Sequence, residues 1–170
     1  RASAKKKLLI FFSYAGVLMT ACLYLVGKGQ WAVAIFFYVM GIIGFSGANI
    51  FYDALLPSVS NEKNVDFISG MGFSLGYLGG GLLFGLNVLM ALFPATFGLP
   101  DGSAAVRFSF LTVALWWGGF SVFTILWVPE DRSFILPKTD AIRSGLRQFM
   151  ATLTNLRKTK AAFLFLLAYW

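Results

Sequence analysis

Few side chains in this chain could do chemistry, and the most telling is Asp53, four residues after Asn49. On a helix that spacing puts the two on one face. Asp53 is also the one carboxylate inside a long apolar stretch, where a charged group is costly to place. Three roles are open to it. It could take part in proton coupling, it could pair with a basic residue at the membrane edge as a latch on a gate, or it could be a plain interfacial carboxylate. Pro57 follows shortly, as suits a helix end.

The second informative segment runs from Ser69 to Asn87 and is crowded with glycine. Gly72, Gly76 and Gly80 recur every fourth residue and stack on one helical face, with Ser69 and Asn87 on the same stripe. Gly70, Gly81 and Gly85, with Ser74, fall on roughly the opposite face. Small residues at this spacing let helix backbones approach closely. Glycine otherwise costs a helix about 1 kcal/mol relative to alanine. Two small faces predict a helix held between neighbours, either as static packing or as a smooth surface along which bundles rock. Tyr77 and Asn87 could hydrogen-bond a solute or a neighbouring helix. Trp116 and Trp117 sit mid-block, away from interfacial aromatic belts; with Gly118 and Gly119 following, they are expected to pack on other helices or, for Trp116, to line a cavity.

Several chemistries are closed. The chain has no histidine, and its lone cysteine, Cys22, lies in an apolar stretch. No internal disulfide, cysteine metal cluster or histidine-dependent catalytic triad can be built from these residues. No metal, no cofactor and no enzymatic activity are expected.

The elements that must position these groups are four apolar blocks, at 8–26, 31–55, 67–93 and 108–128. Each is long enough for a hydrocarbon core of about 30 Å, which takes roughly 20 helical residues. Composition agrees, with 58% hydrophobic and 12% charged residues and a mean hydropathy of +0.76. The fold class expected is an all-α polytopic membrane protein, because a lipid-exposed backbone must satisfy its own hydrogen bonds. A net charge of +7 is not a nucleic-acid signal here, since the cations collect at block edges. Of the 14 Lys and Arg, only Lys28 and Arg107 lie on the second side of the alternating gaps. The positive-inside rule then puts the basic stub 1–7 and the gap 129–160 in the cytoplasm. Within that gap Ile142, Leu146, Phe149, Leu153 and Leu156 recur at helical spacing, which predicts a basic amphipathic helix. The apolar run 161–170 is too short to cross and reads as the start of a fifth spanning helix. The ends look cut, so an internal piece of a larger protein is expected.

These segments resemble the major facilitator superfamily, in the branch related to the autophagy-linked vacuolar amino-acid effluxer of fungi and its bacterial relatives. The resemblance rests on Asn49–Pro57, the glycine block Gly72–Leu82 with Asn87, Trp116-Trp117 followed by Val128–Glu130, and the tail Phe163–Tyr169. It implies a transporter of two pseudo-symmetric helix bundles, of which this chain supplies four helices of the first, the linker and the start of the next. It also implies a small solute such as an amino acid, moved by alternating access, with efflux as one direction. The partners expected are the lipid bilayer, that solute, a proton as coupling ion, and the remaining helices of the same transporter. The location implied is a bacterial inner membrane, or a vacuolar membrane in a fungus. The alternative is a polytopic scaffold or assembly protein that transports nothing.

Overall fold

A computed structural model describes residues 4–129 together with 147, 150 and 151, the last three helical. The rest of the expected amphipathic helix within 129–160 and the apolar run 161–170 lie outside the described residues. Four long helices are present: α1, Ala4–Cys22; α2, Trp31–Asp53; α3, Val65–Leu92; and α4, Gly102–Trp127. Each is long and apolar enough to cross a membrane, and no strand occurs among the described residues.

Helix ends differ from the hydropathy boundaries for local reasons. α1 takes in Ala4–Lys7, because lysine is a good helix former and charge does not stop a backbone. α4 begins at Gly102 rather than at Phe108 because Asp101 caps it, its carboxylate accepting from the Ala104 N–H at 2.7 Å. Hydropathy marks where lipid begins, whereas the cap marks where the helix begins. Gly98, at φ 71°, closes the turn after α3 in the left-handed region that favours glycine.

Small residues take most of the buried positions. Ser13, Gly16, Gly41, Gly44, Ala48, Ala105 and Ala114 are buried alongside Leu9, Leu23, Leu55 and Met90, while Phe36, Leu115 and Leu126 are exposed. A water-soluble bundle places its large apolar side chains inward. In lipid those side chains gain nothing by burial, and association depends on close van der Waals approach. α1 packs most extensively on α2 and also on α4, and α3 leans on α4. The tightest seam is α1 against α2: a Cβ at Gly44 would stand 2.5 Å from the Gly16 Cα and 2.9 Å from the Phe12 carbonyl oxygen. At Gly47 it would meet the Phe12 ring at 2.5 Å, and at Gly16 it would run into Trp117. Trp117 also stands edge-on to Phe45, with centroids 5.8 Å apart.

Cations tie three helix ends. Lys5 Nζ donates to the Ala54 carbonyl at the end of α2 (3.3 Å), and Lys6 Nζ to the Ile125 carbonyl in the last turn of α4 (2.9 Å). At the other end Arg107 Nε donates to the Tyr24 carbonyl just past α1 (3.0 Å), with its guanidinium 5.4 Å from the Tyr24 ring centre. The final carbonyls of a helix lack intrahelical donors and carry the negative end of its dipole, so a cation suits them.

Gly44→Ala should force α1 and α2 apart and destabilise the protein by about 1–3 kcal/mol. Gly119→Ala, where nothing lies within 4 Å, should leave stability unchanged. Reversible unfolding in mixed micelles checks this, and equal effects of the two substitutions would contradict the seam.

Candidate solute-facing cleft

Because α2 and α3 both lean on other helices and scarcely on each other, a cleft of about 620 Å³ opens between them at the end that carries the basic stub. One wall is α2, through Phe45, Asn49, Tyr52 and Asp53; the other is α3, through Ser69, Gly72, Gly76 and Tyr77; Thr124 and Val128 of α4 contribute as well. A turn of 3-10 helix at Leu56–Ser58, carrying Pro57, joins the walls. Cavities of this size suit small solutes.

One continuous face of α3 does two jobs. Farther from the basic end its half-buried and buried positions are Gly79, Leu83, Asn87 and Met90, of which Gly79 and Asn87 meet α4. Trp116 approaches Gly79 there, 3.5 Å from where a Cβ would stand. Nearer the basic end the helices part, and the same face, now Ser69, Gly72 and Gly76, lines the cleft. Nothing lies within 4 Å of a Cβ built at Gly76, Gly80, Gly81 or Gly85, and at Gly72 only the Tyr52 hydroxyl, at 3.7 Å. The close neighbours expected on both glycine faces are therefore not found among the described residues. On the second face the Ser74 hydroxyl donates back to the Gly70 carbonyl at 2.8 Å, a bond within its own helix.

Spacing brought Asn49, Asp53, Gly72, Gly76 and Tyr77 to one cleft. Asn87 and Trp116 are elsewhere. The Asn87 amide lies 2.8 Å from the Thr112 hydroxyl, which is also 2.8 Å from the Ser109 carbonyl. Thr112 has one hydrogen, shared as a bifurcated donor between the Asn87 Oδ1 and the Ser109 carbonyl oxygen. Asn87 is thus committed to α4. Trp116 packs at a tilt against Phe120, with centroids 4.9 Å apart, and touches α3 outside the cleft. Asp53 is exposed, and Lys5 of the stub donates to the carbonyl of the next residue, Ala54, rather than to the carboxylate. Among the described residues no group of His, Cys, Asp and Glu is placed to hold a metal ion.

Two contributors went unrecognised in the sequence. The helix-end role of Lys5 and Lys6 had a visible signal in their place at the edge of the first block, though not their targets. The Gly16–Gly44 contact had half a signal, since Gly41, Gly44 and Gly47 recur every third residue in α2 whereas Gly16 stands alone in α1.

Known proteins match this chain in sequence. The family model described as vacuole effluxer Atg22 like matches residues 1–170. An uncharacterized MFS-type transporter of Bacillus subtilis (strain 168), YxiO, is 38% identical over 167 residues, or 98% of this chain and 39% of its own length. No solved structure matches.

Thr112→Val should cost about 0.6 kcal/mol, a typical price for a lost interhelical hydrogen bond in a membrane protein. Tyr77→Phe, at a side chain 80% exposed, should cost nothing measurable. Unfolding equilibria of the two variants decide it, and a larger loss for Tyr77→Phe would contradict the assignment of Asn87 to packing.

Proposed function

The chain belongs to the vacuole effluxer Atg22-like family of MFS-type transporters, and on that premise we propose that it is part of a secondary active transporter for small solutes. It is a multi-pass integral membrane protein. The observation that carries the reading is the cleft between α2 and α3, which holds polar and aromatic side chains inside an otherwise apolar bundle. A bundle built only to scaffold would close such a gap, because polar groups at membrane depth are costly unless they serve a pathway or pair with one another.

Amino acids are the solute class we propose, and outward movement the direction, following the description of the family. Alternating access would bring the cleft to one side and then the other. The end bearing the basic stub faces the cytoplasm on the charge distribution, which makes the cleft the inner mouth of the path. The chain covers 39% of the length of its bacterial relative, so the remaining helices of the same transporter are the partners proposed for the open glycine face of α3. A proton is the coupling ion proposed. A bacterial plasma membrane fits the source of that relative; a fungal protein would place it in the vacuole.

Reconstitution of the full-length protein in proteoliposomes tests the reading. Uptake or efflux of labelled amino acids that rises with an imposed proton gradient is expected, and absence of any gradient-dependent flux would overturn it. Gly76→Leu should abolish flux by filling the cleft, whereas Leu82→Ile should not. Equal tolerance of the two would count against a role for this face.

A further inference from the structure

Among the described residues the cleft contains one charged side chain, the carboxylate of Asp53, and no Lys or Arg lines it. The basic stub is near, but Lys5 and Lys6 aim their ammonium groups at the carbonyls of Ala54 and Ile125. Among the described residues Asp53 makes no ion pair. The cleft lining it shares includes the aromatic side chains Tyr52, Phe73 and Tyr77, each at least half exposed. We propose that this cleft binds the ammonium group of an amine-bearing solute, with Asp53 as counter-ion and the rings of Tyr52 and Tyr77 as its aromatic wall.

The chemistry selects this class over others. A metal cation would need several oxygen ligands converging on one point, and the cleft offers one carboxylate among rings. An anionic solute would face the Asp53 charge with no cation among the described lining residues to offset it. An organic ammonium takes both features at once: a carboxylate for its charge and ring faces for its C–H and N–H groups. The apolar remainder of such a solute has room beside Gly72 and Gly76, where side-chain volume is missing and nothing lies within 4 Å of a Cβ at Gly76. The proposal deepens the transporter reading and rests on it only for passage of the solute, since occupancy of the site is measured separately.

The test is equilibrium binding of radiolabelled isoamylamine to the full-length protein in lipid nanodiscs, paired with its flux in proteoliposomes. Tyramine should displace it, whereas isovalerate and isoamyl alcohol, which keep the alkyl chain and lack the ammonium, should not. Asp53→Asn should weaken binding by roughly fivefold, the scale of a water-exposed ion pair. Asp53→Glu should stay within about threefold of the parent, because the charge is restored. Saturable binding that survives Asp53→Asn unchanged, displacement by isoamyl alcohol as effective as by tyramine, or no binding to the parent protein would each overturn the proposal. Should Asp53→Asn fail to fold, the displacement series on the parent protein decides alone. Binding without flux would keep the site and overturn the transporter reading.

Discussion

Close approach of helix backbones is the constraint on which the remainder of this structure depends. Within hydrocarbon a leucine is as well solvated by lipid as by another leucine, so helices associate where small residues let them touch. Here that place is the α1–α2 seam, where Gly16 and Gly44 leave no space for a side chain and Trp117 closes over them. The seam brings α1, α2 and α4 into one group. Large apolar residues are left pointing outward, as they should be when lipid is the surrounding medium.

Charge completes what packing begins. Each helix ends in carbonyls that no neighbouring turn can satisfy, and at the membrane edge a lysine or arginine from another helix answers three of them: at Ala54, at Ile125 and at Tyr24. These ties link residues far apart in sequence and act on the three helices that already share the seam. α3 receives no such tie in the hydrogen bonds described; its attachment is the contact with α4 near Gly79 and the Asn87–Thr112 bond. One half of α3 is therefore fastened while the other stands off, and the cleft is the outcome. The arrangement is a group of three packed helices, a fourth held along part of its length, and polar side chains where they diverge.

Much of this was readable in the chain. Length and hydropathy fix four spanning helices because lipid leaves the backbone no other solution. Helical spacing brings Asn49 to Asp53 and Gly72 to Gly76, and both pairs reach the same cleft. Contact partners were not readable. Gly16 has no repeat to mark it, and its importance comes from what lies opposite. The glycine block advertises close packing, yet within the four-residue repeat only Gly72 has a described neighbour, the Tyr52 hydroxyl, and the contact with α4 is at Gly79, outside the repeat. Asn87 shares the stripe of the cleft residues but lies where α3 is still against α4, so a hydroxyl on the facing helix takes its amide. Such pairings depend on where two helices part, which hydropathy does not encode.

The account stands on a cleft that is open to water at its basic end beside a seam that is dry. In the full-length protein with Cys22 replaced, single cysteines at Asn49 and Ser69 measure the first, and single cysteines at Ser13 and Ala48 the second. Treatment with a membrane-impermeant thiol reagent from the basic side should label positions 49 and 69 and spare 13 and 48. Labelling at 13 and 48 with protection at 49 and 69 would contradict it.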